Sequence, residues 1–175
     1  MTASTLHVYL AHGASGSAAS MRPWTDGLRD RGFEATPVQL PRSSAERAIP
    51  VYRAAVEPGS ATVIGGQSFG GRVASLIAAD QAPAGLVLLS YPLHRPGHPE
   101  TVDARIAHWP RIRCPVLLLS GESDPFARIQ LLREVVPRLP HARLVTYPRL
   151  GHGLDAVRED ALDRIASWLK ELAAG

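Results

Sequence analysis

Residues 63–72 read VIGGQSFGGR, four glycines and one serine at the end of an apolar run. Within this stretch, GQSFG (66–70) fits the pattern G-x-S-x-G. On composition alone that pattern arises by chance roughly once in ten or twenty chains of this length. Its setting carries the weight. ATVIG (61–65) before it has strand character, and FGGRVASLIAAD (69–80) after it spaces Val73, Leu76 and Ile77 along one helical face. A serine on so sharp a strand-to-helix bend takes strained dihedrals, and the residues two away on each side must be small for strand and helix to approach. Gly66 and Gly70 occupy those positions, with Gly65 and Gly71 giving further clearance. The helix that follows turns its positive end toward Ser68 and favours negative charge developing there. The competing reading is a plain connecting turn or a phosphate-binding one. A Walker loop is excluded because no Gly-Lys-Ser/Thr follows, and a dinucleotide turn would follow the first strand of its unit rather than the third.

Outward from this bend, apolar runs recur at LHVYLAH (6–12), ATPVQL (35–40), ATVIGGQ (61–67), GLVLLS (85–90), PVLLLSG (115–121) and ARLVTY (142–147). Several are apolar throughout, as in strands buried on both faces. Helical spacing lies between them, most clearly at the end, where Leu154, Val157, Leu162, Ile165, Trp168, Leu169 and Leu172 share a face. Residues 69–80 and 126–136 are further helices, and 18–31 and 44–56 are weaker ones. Alternating strand and helix predict a single α/β domain over 1–175, with a mostly parallel six-stranded sheet and helices on both faces. The segment 91–113, rich in proline and histidine, reads as a long loop with one short helix. In such sheets ligands collect beyond the carboxyl ends of the strands.

A serine hydroxyl needs a base to take its proton, and the base needs an orienting carboxylate. The expected order is serine, acid, histidine, each on a loop after a later strand. GESDPF places Asp124 after the fifth run, and PRLGHGLD places His152 after the sixth. Glu122 is an alternative carboxylate and Asp103 a more distant one. Among the other histidines, His141 precedes its strand, His7 lies inside one, and His108 reads as surface packing. His94 and His98 are four apart, but Pro96 and Gly97 between them argue against a metal pair on a helix. An oxyanion needs two donors. The Phe69 amide is one, and AHGASG (11–16) offers the Ala14 amide as the second, with Ser15 as fallback. His12 either shapes that loop or fills a turn.

Composition narrows the rest. The chain has 175 residues, a formal charge of +3 and one cysteine, which excludes an internal disulfide. Cys114 reads as a small buried hydrophobe. Lys170 is the sole lysine and the arginines are scattered singly among acidic residues, so no nucleic-acid stripe forms and solvated surface is the expectation for them. The start MTASTLHVYLAHG lacks leader character, and no run is long enough for a bilayer, so a cytoplasmic location without membrane contact is expected.

With these residues in place, the chain resembles the α/β-hydrolase superfamily from its first strand to its last helix. GGQSFGGR (65–72), LSYPLHRPGHPE (89–100) and CPVLLLSGESDPF (114–126) are similar to its small KANSL3/Tex30-like branch; dienelactone hydrolases share the plan but carry cysteine as nucleophile. The resemblance implies a minimal fold without a cap domain, its strands ordered 4-3-5-6-7-8 in the family's labels. It implies a serine hydrolase acting on a small-molecule ester or related acyl bond, with no cofactor and no metal. The triad would be Ser68, Asp124 and His152, with Ala14 and Phe69 as oxyanion donors. Tyr91 and Leu93, with His12, would border the acyl pocket of an open site. A non-catalytic module on the same fold, or a thioesterase or acyltransferase with the same triad, are the alternatives. Oligomeric state is left open.

Overall fold

The computed structural model describes residues 6–57 and 61–175. The opening MTAST, part of the stretch expected to lack leader character, lies outside them. Six strands form one sheet: β1 (His7–Ala11), β2 (Glu34–Val38), β3 (Thr62–Gln67), β4 (Gly85–Leu89), β5 (Val116–Gly121) and β6 (Ala142–Tyr147). Their order is β2-β1-β3-β4-β5-β6 and all five pairings are parallel. This is the order that the resemblance implied. Among the described residues six helices accompany them: α1 (Ala18–Arg29), α2 (Ala45–Ala55), α3 (Phe69–Asp80), α4 (Val102–Ile106), α5 (Ile129–Val135) and, after the last strand, α6 (Arg158–Ala174).

Alternation along each strand divides the core in two. Tyr9, Ile64, Leu86, Leu88, Val116 and Leu118 face one side, where α2, α3 and α5 pack. Val8, Leu10, Val63, Val87, Leu117 and Leu119 face the other, covered by α1 and α6. Both faces of the central strands are therefore dry, which explains their unbroken apolar runs. On the first side Tyr52 of α2 reaches the sheet itself. Its hydroxyl donates to the Gly65 carbonyl (2.7 Å) and accepts from the Gly65 amide (3.0 Å), and burial pushes its ionisation well up.

The segment 91–113 holds the one short helix expected of it and is more regular on either side than a plain loop. It folds as a 3-10 turn (Pro99–Thr101), α4, and a second 3-10 turn (Trp109–Arg111). Val102, Ile106, Trp109 and Ile112 are all buried on the first core. Their three- and four-residue spacing is helical, and burying that face holds the segment down. No separate cap domain is present among the described residues. No helix among them is long and apolar enough to cross a membrane.

Candidate functional site

The strand order reverses between β1 and β3, since β1 leads outward to β2 on one side and the chain then returns to its other flank. Loops leaving those two strands diverge and open a crevice at the carboxyl edge of the sheet. Both Ser68 and the 12–16 loop stand there. Ser68 sits between β3 and α3 with φ 49° and ψ −112°, a left-handed region that serine rarely visits. Its amide donates to Leu89 O (2.8 Å) and its carbonyl accepts from Arg72 N (3.0 Å), so neighbouring backbone holds the bend. A side chain on Gly66 would run into the Ala11 carbonyl and the Gly70 backbone, and one on Gly70 into the carbonyls of Ala11 and His12. Glycine is required at both by close approach.

Two later loops bring the partners. His152, after β6, lies with Nε2 2.9 Å from Ser68 Oγ and donates from Nδ1 to Asp124 Oδ2 at 2.8 Å. Asp124 fixes the proton on Nδ1, which leaves Nε2 to accept from the serine hydroxyl. The Asp124 side chain is wholly buried, and its other oxygen, Oδ1, accepts from the Phe126 amide at 2.8 Å. The Phe126 ring rests against the His152 imidazole, with centroids 4.4 Å apart. Glu122 is turned elsewhere, accepting from Thr146 Oγ1 and Arg133 Nη2. Asp103 pairs with Arg138. The three side chains named for proton transfer thus meet, and the rival carboxylates do not join them.

The loop after β1 passes close beside the serine: a Cβ on Gly13 would stand 3.8 Å from Ser68 Cβ. His12 is buried. Its Nδ1–H donates to the Gly13 carbonyl (2.7 Å), and its Nε2 accepts from the Leu40 amide (2.9 Å), tying this loop to the end of β2. Neither the Ala14 nor the Phe69 amide finds an acceptor among the described residues. A cleft of about 620 Å³ opens on this side, lined by His12, Ala14, Ser15, Pro41, Arg42, Ser43 and Phe69.

Tyr91 and Leu93 are not in it. They are 1% and 0% exposed, buried beneath the 99–112 segment. Tyr91 donates its hydroxyl to Arg105 O and meets Trp109 edge-on, so the expected acyl-pocket border is core packing instead. His108 is likewise buried rather than at the surface. Its Nε2 lies 2.8 Å from Ser75 Oγ, and desolvation, helped by Arg72 and Arg111, lowers its ionisation to about 4. Arg72 departs from the solvated reading too, since its Nε is buried and has no hydrogen-bond partner among the described residues. His94 is buried and His98 exposed, each with partners of its own. Cys114 is buried, and burial pushes its thiol up to about 11. Sequence reasoning missed the Pro41–Ser43 wall. Its signal was PRSS at the carboxyl end of the strand beside β1, next to the crevice that the order reversal opens.

Residues 23–171 match the family described as "Alpha/beta hydrolase domain". Among solved structures, the chain is similar to a monoacylglycerol lipase of Paleococcus ferrophilus, with TM-score 0.81 and 16% identity over 94% of each chain. It is similar to an esterase of Pyrococcus furiosus, with TM-score 0.79 and 16% identity over 97% of this chain and 84% of that one. A dienelactone hydrolase of Anabaena variabilis gives 0.72 and 18%, over 96% and 87%.

Proposed function

Since the chain belongs to the alpha/beta-hydrolase family, we propose that it is a serine hydrolase cleaving a carboxylic ester or related acyl bond through an acyl-enzyme. Ser68 Oγ attacks the carbonyl carbon while His152 Nε2 takes its proton. The tetrahedral oxyanion that forms is met by the amides of Ala14 and Phe69, with the positive end of α3 behind them. Collapse expels the alcohol, which leaves with the proton that His152 returns. Water then repeats the sequence on the acyl-serine, releasing the acid and restoring Ser68. Asp124 holds the Nδ1–H tautomer and stabilises the imidazolium in both halves.

The observation that carries this reading is the continuous chain from Asp124 Oδ2 through His152 to Ser68 Oγ, with both links below 3 Å. It begins on a buried carboxylate and ends on a serine held at positive φ. The esterase and lipase among the structural neighbours agree with the reaction class, and the open cleft suits small acyl substrates. The account expects hydrolysis of short-chain nitrophenyl esters by the wild type. Ser68→Ala should lower kcat by about four to six orders of magnitude, and His152→Ala comparably. Full activity in Ser68→Ala would overturn the proposal. A faster reaction with thioesters, or acyl transfer to an added alcohol, would move the assignment to a thioesterase or acyltransferase using the same residues.

A further inference from the structure

His94 takes no part in the proton path, and its sequence neighbourhood first invites comparison with a metal pair. Its surroundings point to another task. The residue is 3% exposed and uses both ring nitrogens. Nε2 faces the Arg128 backbone amide at 3.0 Å, and a backbone amide can only donate. Nε2 is therefore unprotonated, and the proton sits on Nδ1, which donates to the Arg95 carbonyl at 2.8 Å. The His94 amide adds a bond to the Phe126 carbonyl at 3.0 Å. Two bonds thus cross from the loop after β4 to residues 126 and 128 of the loop after β5. His12 is wired in the same way on the other side of Ser68: Nδ1 to the next carbonyl, Nε2 to an amide of a neighbouring loop.

Phe126 is what the clamp secures. Its amide holds Asp124 Oδ1 and its ring lies against His152. The acid and the base both touch this one residue, and no helix or strand contains it. We propose that His94 is a positioning residue for the hydrolytic site: a neutral imidazole that pins the 126–128 backbone and thereby sets Asp124 and His152 relative to Ser68. This rests on the triad reading above and adds the residue that keeps two of its members in register. Misplacement of a reacting group by about 1 Å from a distant change can cost on the order of 10²-fold in rate.

Three substitutions separate the bonds. His94→Ala removes both ring contacts. His94→Asn keeps an amide near the Nδ1 position and loses the reach to Arg128. His94→Gln places its carbonyl oxygen near Nε2, where it can accept from the Arg128 amide. Nitrophenyl ester kinetics should show kcat down roughly 10–100-fold in Ala and Asn with KM within about twofold, and largely restored in Gln. His108→Ala serves as control for burial alone, lowering thermal stability without this loss of kcat. The proton NMR resonance of His152 Nδ1–H is followed in parallel, because it reports the bond to Asp124 whether or not the protein turns over an ester. It should broaden or shift in Ala and Asn and persist in Gln. An inert wild type would refute the hydrolase reading while the resonance still decides the role of His94. An unchanged resonance in all three variants, or kcat losses that follow thermal stability as His108→Ala does, would overturn the positioning role.

Discussion

Ser68 keeps a backbone conformation that costs about 1–3 kcal/mol for a non-glycine residue, and the surrounding structure must enforce it. Here the Leu89 carbonyl and the Arg72 amide do so from either side. At this scale the meeting of Ser68, His152 and Asp124 was readable, because a serine elbow, a carboxylate and a histidine each follow a strand in a fixed order. Asp124 and Glu122 could be ranked by position alone, and the structure separates them: one meets His152, the other Arg133 and Thr146. Kinetics should follow that split. Asp124→Asn is expected to lower kcat by about 10⁴, since the imidazole loses its tautomer, whereas Glu122→Gln should stay close to wild type. The reverse ranking would show that the wrong carboxylate has been assigned. What could not be read at this scale was direction. Tyr91 and Leu93 lie within a few residues of the correct strand end, but periodicity does not tell that both turn into the core.

Elements were legible where their apolar pattern was strong. The strands and α3 fall within a residue or two of their expected limits, because buried runs and the glycine bend mark them sharply. The helices over 18–29 and 45–55 gave weaker signals since each carries an interior proline, Pro23 and Pro50, which removes a backbone donor. Packing offsets that loss. Tyr52 shows how α2 is held, its hydroxyl buried against both backbone polar groups of Gly65. Tyr52→Phe would leave these groups short of a partner at a cost of about 1–3 kcal/mol. Chemical denaturation should show a lower midpoint with an unchanged slope; an unaffected midpoint would mean the contact contributes nothing net. The short helix expected within 91–113 had no firm position among the prolines and histidines, and the placement of Val102, Ile106 and Trp109 on the core fixes it.

For the molecule as a whole, the candidate site is assembled at the crevice between β1 and β3 and from the two loops that follow β5 and β6. Long-range placement of this kind comes from topology, and the family likeness supplied it where residue patterns did not. One buried group links the whole fold to pH. His108 ionises near 6.5 when exposed and at about 4 in the folded state. Between these values the unfolded chain binds the extra proton, so stability should be intact above pH 6.5 and decline as pH falls toward 4. His108→Gln removes that pH dependence. Thermal melts across the window should show the difference between wild type and variant shifting against the wild type as pH drops, and a constant difference would contradict the assignment.

Covalent labelling tests the central claim most directly. A fluorophosphonate probe reacts with a serine only where a base activates its hydroxyl and an oxyanion site receives the phosphoryl oxygen. Mass spectrometry of the treated protein should find one equivalent on the peptide containing Ser68, absent in Ser68→Ala and strongly slowed in His152→Ala. Folded wild-type protein that stays unmodified, or that carries the label on another residue, would contradict the account.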